Sequence, residues 1–399
     1  MILRLQNPVR PYAWGSRTYL AELLGEASPA PGPQAELWLG AHPTAPSRVD
    51  GASLADLIAA DGTAWLGPRV AAEFGGRLPF LLKVLAAEQP LSLQVHPSAA
   101  QAREGFARER AAGIGPDDPV RNYADDWPKP ELVCALTGFD ALCGFQPVPE
   151  CVRLLDALVR NGATAVRPYA DSLRESGDLR RLVVDLLTAR GTGSAGLVGD
   201  IAAACRSAAA SGEPSGAQSL AVRLAAHYPE DVGVLVAMLM NEVRLEPGDA
   251  MYLPAGTMHA YLHGAAVELM AASDNVLRGG LTGKHIDVPE LARVLEVAPG
   301  PVSVLHPRGV GGEDVYDTPS PYFRLSRVVP GDEVRLAGDA PQIMLCVEGS
   351  ADLSAGGDHV RLAKGSAAFV GAGAGVVNVA CTGALFRATV PAEGDGGAR

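Results

Sequence analysis

The chain of 399 residues has few cysteines, no long apolar run and no concentration of basic residues. Its six cysteines are scattered, and no two of them have the C-x-x-C spacing of metal-binding or redox motifs. We therefore expect buried thiols in a reducing compartment rather than a disulfide framework. No segment reaches the run of roughly 18 apolar residues that a membrane-spanning helix requires, so the sequence predicts no membrane partner.

The N-terminal stretch MILRLQNPVRPYAWGS lacks the long apolar core of a secretory signal, and we expect a cytoplasmic protein. The formal net charge is −12, and no basic stripe of the kind that binds nucleic acid occurs. The sequence therefore predicts no nucleic-acid partner. An acidic protein can still bind an anionic ligand, but it must then concentrate lysine and arginine side chains at one place.

The chain is too long for a single hydrophobic core, which predicts two or three domains. Its 46 glycines and 31 prolines divide much of the sequence into short apolar runs between turns. This pattern is typical of an antiparallel barrel or a double-sheet roll. The fold class that we predict is therefore mainly β.

A helical pattern interrupts the strand-rich sequence in its middle third. The stretches ECVRLLDALVRNG and DLRRLVVDLLTAR place apolar residues three and four positions apart, as in amphipathic helices, and RSAAASGEPSGAQS then predicts a loop. Short strands resume near Pro301, and the final AEGDGGAR is expected to fray. The predicted domains are a first β part at 1–148 and 226–300, a helical insertion at 149–225, and a second β-roll at 301–399.

The segment LSLQVHPS pairs a carboxamide with an imidazole on one face of a predicted strand. Alternation places Gln94 and His96 on the face opposite Leu93 and Val95. One interpretation is a hydrogen-bonded structural histidine beside a buried amide. The other is a metal site, and this segment alone does not decide between the two.

Two further segments carry polar side chains that could complete such a site. In PKPELVCAL, Glu131 begins an apolar run, and Lys129 lies two residues before it. In LEPGDAMYLPAGTMHAYL, turns flank a short strand, and His259 then opens another strand with Tyr261 on the same face. Each segment also has a plain structural interpretation, namely a solvated glutamate at a strand entrance and a histidine that caps a turn.

Two nitrogen and two oxygen ligands result when these side chains are taken together, from Gln94, His96, Glu131 and His259. Such a set suits a four-coordinate divalent ion, for example zinc. Because glutamine is neutral, Zn²⁺ with one glutamate leaves the site with a charge of about +1. A positive site that is open to water can polarise a substrate oxygen or hold an enediolate.

A fourth segment, VELMAASDNVLRGGLTGKHID, joins a predicted strand to a glycine-rich loop. Glu268 lies near the end of the strand, and the loop carries Arg278 and Lys284. Cationic side chains beside glycines that allow close backbone approach predict an anion clamp. The alternative is a surface loop with solvated charges.

The segments PLSLQVHP, KPEL, PGDAMYLPAGTMHAYL and SDNVLRGGLTGKH together resemble type I phosphomannose isomerases of the cupin superfamily. YAWGS and AELWLGAHPTAPS match the N-terminal part of the same family. The resemblance runs in order from about residue 5 to residue 298, and the last hundred residues contribute less to it. It implies two cupin jelly-roll β-barrels with an α-helical insertion, and one zinc ion per chain.

The resemblance also implies roles for individual residues. The zinc ligands of the family fall on Gln94, His96, Glu131 and His259. The implied catalytic residues are Arg278, Lys129, Lys284 and Glu268, and the implied substrate-binding residues are Lys83, Tyr261, Trp14 and Glu36.

The reaction that the resemblance implies is the interconversion of mannose 6-phosphate and fructose 6-phosphate through a cis-enediol. We expect a monomer without the nucleotidyltransferase domain of bifunctional type II enzymes. One departure concerns Pro128, because many bacterial relatives carry at this position a histidine proposed to open the sugar ring. Either that role is not general, or another group opens the ring here.

Two alternatives to this function stay open at the level of sequence. One is another cupin sugar-phosphate isomerase, for example one that acts on glucose 6-phosphate. The other is a metal-bearing cupin that binds a sugar without catalysis, for which the cationic loop around Arg278 and Lys284 has no need.

Overall fold

The computed structural model describes residues 1–191, 193–210 and 216–392 of the chain. Helices and strands both make up large parts of it, so the protein is mixed rather than mainly β. The sequence prediction missed helices outside the predicted insertion because their apolar stripes are weak. The helix Ala99–Ala111, for example, buries only Ala102, Gly105 and Glu109.

All strand pairs in the described sheets are antiparallel, and these strands form no closed barrel. The strands are β1 (Ile2–Leu5), β2 (Val9–Arg10), β3 (Glu36–Leu39), β4 (Arg48–Val49), β5 (Ala52–Ser53), β6 (Phe80–Ala87), β7 (Leu93–Val95), β8 (Glu131–Ala135), β9 (Phe139–Phe145), β10 (Met240–Leu245), β11 (Ala250–Leu253), β12 (His259–Ala271), β13 (Leu277–Gly280), β14 (Arg308–Val310), β15 (Glu313–Tyr316), β16 (Arg324–Val328), β17 (Val334–Gly338), β18 (Gln342–Cys346), β19 (Ser350–Ala355), β20 (Asp358–Ala363), β21 (Ala367–Val370), β22 (Gly375–Cys381) and β23 (Leu385–Thr389).

The helices lie between the strands as well as in the middle third of the chain. They are α1 (Tyr19–Leu24), α2 (Leu54–Ala60), α3 (Gly62–Glu73), α4 (Ala99–Ala111), α5 (Val148–Arg160), α6 (Arg167–Ser176), α7 (Leu179–Thr188), α8 (Ser194–Ala210), α9 (Gly216–His227), α10 (Gly233–Met238) and α11 (Val288–Val294), with a 3-10 turn at Thr164–Val166. None of the described helices has the length and apolar character that crossing a bilayer requires.

Two antiparallel layers share the long strand β12. The first layer has the order β11-β8-β12-β6-β3-β2, and the second has the order β10-β9-β12-β7-β13. One apolar cluster contains Leu85 and Val133 of the first layer and Ala141 and Phe139 of the second. The two layers therefore face each other across a shared interior.

Alternation along the strands decides which side chains reach this interior. On β6, Leu82 and Val84 pack into the core that joins the first layer to the C-terminal sheet, whereas Leu85 packs between the layers. Lys83 shares the face of Leu85, because side chains two positions apart lie on the same side of a strand. The interior thus receives a buried charge from a strand that is otherwise apolar.

β12 changes its alternation halfway along. Tyr261 packs between the layers, and so does Ala266, although an odd number of positions separates them. A register shift follows Tyr261, and Gly264 has a φ of +112°. A Cβ atom at Gly264 would lie 2.5 Å from the carbonyl oxygen of Gly138. This bulge brings His259 and Glu268 to the same interior.

The helices α5 to α10 cover the outer face of the second layer. Leu155 of α5 and Leu186 of α7 belong to the same buried cluster as Leu93 and Val95 of β7. The two amphipathic helices predicted from the sequence are α5 and α7. The predicted loop at 206–219 is largely wrong, because α8 continues to Ala210 and α9 begins at residue 216, while 211–215 lie outside the described residues.

The C-terminal third consists of strands, as the sequence predicted. A seven-stranded sheet has the order β1-β21-β18-β23-β16-β15-β14, and it packs on a four-stranded sheet with the order β17-β22-β19-β20. The first strand of the chain thus joins the C-terminal sheet through its pairing with β21. The segment expected to fray lies outside the described residues from position 393 onward.

Candidate metal centre

Three ionisable side chains from separate elements meet between the two layers. Glu131 is the first residue of β8, His259 is the first residue of β12, and His96 directly follows β7. The side chains are buried, and their candidate ligand atoms all lie within 4.8 Å of one another.

The hydrogen bonds of the two imidazoles fix where their lone pairs point. Nδ1 of His96 donates to the carbonyl oxygen of Asn275 at 2.7 Å, and Nδ1 of His259 donates to the carbonyl oxygen of Thr257 at 3.0 Å. In a neutral imidazole with the proton on Nδ1, Nε2 is an acceptor. These Nε2 atoms lie 3.3 Å and 3.2 Å from Oε1 and Oε2 of Glu131, respectively.

Acceptor atoms therefore converge on one point without a donor between them. Among the residues that the structure describes, Nε2 of His96, Nε2 of His259 and Oε2 of Glu131 have no hydrogen-bond partner. Buried polar atoms without a partner are costly and need an explanation. A cation at this point would satisfy all three atoms, and neutral imidazoles with a carboxylate are ligands that zinc prefers. The residues present therefore fit a zinc ion.

The protonation states agree with this interpretation. Burial lowers the pKa of His96 to about 4, so the imidazole is neutral near neutral pH. Burial by itself raises the pKa of Glu131, but the neighbouring His96 and Lys129 outweigh it and hold this pKa well below its usual range. Metal ligands must be deprotonated, and both of these groups are.

Gln94 lies next to this group on β7. It is the cross-strand partner of His259 on one side and of Arg278 on the other. Directly opposed residues in antiparallel strands have Cβ atoms about 4.5–5.5 Å apart and point to the same face. The partly buried amide of Gln94 is thus on the same side of the sheet as the imidazole of His259.

A buried network of charges lies beside the three converging side chains. Nζ of Lys83 lies 3.0 Å from Oε2 of Glu268 and 3.6 Å from Oε1 of Glu36. The hydroxyl of Tyr261 donates to Oε1 of Glu268 at 2.9 Å, and Nε1 of Trp38 donates to Oε2 of Glu36 at 2.7 Å. All of these residues except Trp38 are candidate site residues from the sequence.

The members of this network shift each other's pKa. Burial by itself lowers the pKa of Lys83, but the carboxylates of Glu268 and Glu36 outweigh it and raise this pKa above its ordinary value. Burial raises the pKa of Glu268, although Lys83 opposes the shift. Burial and the charge of Glu268 raise the pKa of Tyr261. Lys83 is therefore a cation near neutral pH.

Three more cationic side chains are candidates for this site: buried Lys129, partly buried Arg278 opposite Gln94, and exposed Lys284 on the loop that follows. Nζ of Lys129 is buried and lies 3.2 Å from Oε1 of Glu131. Burial lowers the pKa of Arg278, and burial together with repulsion from Arg278 lowers the pKa of Lys284. Neither Arg278 nor Lys284 has an ion-pair partner within the described part of the chain. This pair leaves positive charge free to bind an anion.

Trp14 occupies the apolar side of the interior. Its ring packs against the cluster that contains Tyr261 and stacks on the ring of Tyr12 with centroids 5.8 Å apart. The structure thus places Trp14 beside the tyrosine of the charged network, at the border of the interior.

Sequence reasoning missed two contacts of this site. The main-chain carbonyl of Asn275 orients His96, and the buried His42 places Nε2 3.1 Å from Oδ2 of Asp274. The amide of Asn275 donates to the carbonyl oxygen of Trp127 at 2.7 Å. A main-chain acceptor has no side-chain signature, and His42 lies over 200 positions before its partner, so neither contact could be found from spacing.

The converging ligands, the buried acid–base network and the free cations define a metal-dependent enzyme for a small anionic substrate. Residues 2–148 match the model of the phosphomannose isomerase type I catalytic domain. The chain belongs to the type I phosphomannose isomerase family, as the following similarities to full-length relatives show.

The chain is 42% identical over 392 residues to the mannose-6-phosphate isomerase of Salmonella typhimurium. This alignment covers 96% of the present chain and 98% of the relative. It has the same identity and coverage with the mannose-6-phosphate isomerase of Escherichia coli. A crystal structure of a zinc-bound mannose 6-phosphate isomerase matches with a TM-score of 0.89 and 40% identity. The match covers 98% of this chain and 100% of the other.

Proposed function

We propose that this chain is a zinc-dependent aldose–ketose isomerase that interconverts mannose 6-phosphate and fructose 6-phosphate through a cis-enediol. The observation that carries the proposal is the convergence of unpaired acceptor atoms of His96, His259 and Glu131 beside buried acid–base groups. Similarity to mannose-6-phosphate isomerases over nearly the whole chain supports the same reaction.

The proposed zinc ligands are Gln94, His96, Glu131 and His259, with one ion per chain. The unpaired acceptors support three of them, and the cross-strand position of Gln94 supports the fourth. When bound, the ion supplies a Lewis acid that polarises the substrate oxygens near C1 and C2.

Isomerisation moves one proton from C2 to C1 of the open-chain sugar and a second from O2 to O1. The transfer between the carbons requires a group that can accept the proton and return it. The raised pKa of Glu268 brings this carboxyl group closer to neutral pH, as such a group requires. Lys83 and Tyr261 donate to its two oxygens and so hold it in place. Lys129 is the second candidate, because its buried ammonium group lies beside the ligand Glu131.

The loop that carries Arg278 and Lys284 is proposed to contact the anionic groups of the substrate. Arg278 and Lys284 are proposed to bind the phosphate or to stabilise the enediolate, and Lys284 stays a candidate for the proton shuttle. The lowered pKa values of both groups support this, because an incoming anion would compensate for the burial of the two cations and for the repulsion that Arg278 exerts on Lys284. Trp14 and Glu36 complete the proposed substrate-binding set with Lys83 and Tyr261.

We assign the two facing layers to one cupin β-roll and the C-terminal sheets to a second. The proposed domains are 1–148 and 226–300 for the first roll, 149–225 for the helical insertion and 301–399 for the second roll. The shared interior of the layers and the helical cover on the second layer support this division. A cytoplasmic monomer without a nucleic-acid partner is part of the same proposal, and the net charge of −12 supports the last of these points.

The test is a coupled assay of mannose 6-phosphate isomerisation on protein of measured zinc content. We expect chelation to abolish turnover and zinc to restore it, and His96→Ala and His259→Ala to lose both metal and turnover. The matched control is His227→Ala, which changes an exposed histidine on α9.

Three results would contradict parts of the proposal. Full activity in metal-free protein would remove the role of zinc. Faster turnover of glucose 6-phosphate than of mannose 6-phosphate would favour the related isomerase. Tight sugar binding without any turnover would favour the non-catalytic binding protein.

A further inference from the structure

The loop that follows Arg278 has a backbone that needs support from its surroundings. Leu281 is buried and has a φ of +53°, in the left-handed region that side chains other than glycine rarely adopt. Gly280 has a φ of +133°, and a Cβ atom there would lie 2.7 Å from Cα of Gly233. Such conformations persist where surrounding contacts over-determine them. The close approach to Gly233 indicates that the helical layer supplies those contacts.

Two charged residues of the helical layer bind both main-chain polar groups of one residue of this loop, Thr282. Oδ2 of Asp231 accepts from the main-chain N–H of Thr282 at 3.0 Å, and its Oδ1 accepts from the N–H of Gly233 at 2.8 Å. Nη2 of Arg190 donates to the carbonyl oxygen of Thr282 at 3.2 Å and to Oδ2 of Asp231 at 3.3 Å. Both polar main-chain groups of Thr282 are therefore held by the Arg190–Asp231 ion pair.

Thr282 lies between the two cations of the loop. Its hydroxyl accepts from the main-chain N–H of Lys284 at 3.1 Å. On the other side, the pairing of β13 with β7 shifts register between Arg278 and Gly280. A bulge re-aims the side chain next to it, so the direction of Arg278 depends on how the chain continues. Fixing Thr282 thus constrains both cations at once.

We propose that Asp231 and Arg190 are positioning residues for the isomerase. By binding Thr282 they hold the loop in the conformation in which Arg278 and Lys284 together face the anionic groups of the substrate. This inference rests on the proposed function, in which these two cations bind the sugar phosphate. With this role, the helical layer contributes to substrate recognition without touching the substrate, because it holds the backbone of the loop.

The experiment compares zinc-loaded Asp231→Asn and Arg190→Ala with Arg181→Ala. Arg181 is a matched control on α7, because its exposed side chain pairs with Asp185 at 3.6 Å away from the loop. We expect KM for mannose 6-phosphate and the inhibition constant of inorganic phosphate to rise about tenfold in both variants, the scale of a lost charged hydrogen bond. The zinc content and kcat should change little. Arg190→Lys should recover part of the loss, because it keeps the charge without the planar fork.

A purely structural role of the pair predicts something different. It would lower Tm in Asp231→Asn and Arg190→Ala but leave KM and phosphate inhibition at the wild-type values well below Tm, and this result would overturn the proposal. If Asp231→Asn does not fold, Arg190→Ala provides the same test, because the arginine side chain is partly exposed.

Arg278→Ala separates this inference from the proposed function. If Arg278→Ala alone leaves kcat, KM and phosphate inhibition all unchanged, the assigned role of the cationic loop is wrong, and the positioning role falls with it. In a second outcome, Arg278→Ala raises KM and the inhibition constant of phosphate, and the double variant with Asp231→Asn raises them little further. Arg278 and Asp231 then act through one element, as we propose. Fully additive effects would overturn the positioning role and leave the role of Arg278 intact.

Discussion

Nδ1 of His96 donates a 2.7 Å hydrogen bond to the main-chain carbonyl oxygen of Asn275, 179 positions further along the chain. This bond selects the tautomer whose Nε2 lone pair points to Glu131. The side chain of Asn275 is fixed in turn by the carbonyl oxygens of Asp125 and Trp127. Outer contacts of this kind orient metal ligands and tune their basicity.

Asn275→Ala should weaken zinc binding by about 10- to 100-fold, the usual scale for losing an outer contact of a ligand. The carbonyl remains, but the segment that presents it loses its anchors. Competition with a calibrated chelator measures the affinity. Asn161→Ala is the control, since among the described residues its amide donates only to the carbonyl oxygen of Ala157 near the end of α5. Equal zinc affinity in Asn275→Ala and wild type would show that the backbone holds His96 without the amide.

Lys83→Met should destabilise the fold strongly, because it leaves the buried carboxylates of Glu268 and Glu36 without their cation. Breaking one partner of a buried ion pair costs about 3–5 kcal/mol. Arg181→Ala breaks an exposed pair and should cost at most about 1 kcal/mol. Urea unfolding measures both free energies. A loss for Lys83→Met no larger than that for Arg181→Ala would contradict the prediction.

The same lysine predicts a pH dependence of stability. The folded-state pKa of Lys83 is raised above its ordinary value of 10.5, so above that pH the unfolded chain releases a proton that the folded chain keeps. Its contribution is fully present below the ordinary value and is lost as the pH rises above it. Between about pH 9 and about pH 11, wild type should therefore lose more stability than folded Lys83→Met. Parallel losses in the two proteins would show that other groups cause the change.

Arg278→Ala should lower turnover by roughly a hundredfold or more, the scale of removing a preorganised donor to a developing anion. Zinc content and Tm should barely change. A fall in kcat at constant KM would place the arginine at the enediolate, whereas a rise in KM would place it at the phosphate. Arg278→Lys should recover part of the activity, since the planar fork is lost. Near-wild-type kinetics in Arg278→Ala would mean that this is a loop with a solvated charge.

Gly264→Ala should disrupt the bulge in β12. A Cβ atom there meets the carbonyl oxygen of Gly138 at 2.5 Å, and the φ of +112° is also unfavourable for alanine. Gly177→Ala is the matched control, because Gly177 has a positive φ but open space around its Cβ position. The control should cost about 1–2 kcal/mol and Gly264→Ala clearly more. Equal losses of unfolding free energy would show that the close approach to Gly138 relaxes easily.

Strand alternation predicted much of the candidate centre. It placed Gln94 opposite Leu93 and Val95, and both apolar residues do pack against the helical layer on the other face. It also predicted that His259 opens a strand, and β12 begins there. These predictions are confirmed because period-2 patterning is a local property of the chain.

The remaining features depend on packing that strand alternation does not encode. Regular strand alternation would place Tyr261 and Glu268 on opposite faces, because they are seven positions apart. The bulge at Gly264 instead brings the tyrosine hydroxyl within 2.9 Å of the glutamate carboxylate. Alternation places Glu36 and Trp38 on one face of β3, but it does not show that this face turns to the charged network, because the strand is buried throughout. Such partners are decided by tertiary packing.

Because of the bulge in β12, deleting or inserting one residue there would affect the side chains after the bulge and leave those before it in place. Before the bulge, β12 carries His259, one of the three converging side chains of the candidate metal centre. After the bulge, it carries Glu268, which belongs to the buried charged network with Lys83. Deleting one residue at the bulge would turn Val267 or Leu269 inward in place of Glu268 while His259 kept its position. A protein that keeps the proposed metal ligand but has lost the proposed proton-transfer group is thus a single codon deletion away. Conversely, inserting one residue into a strand that carries a metal ligand would turn the side chains beyond the insertion to the other face, and the strand could gain a proton-transfer group in this way.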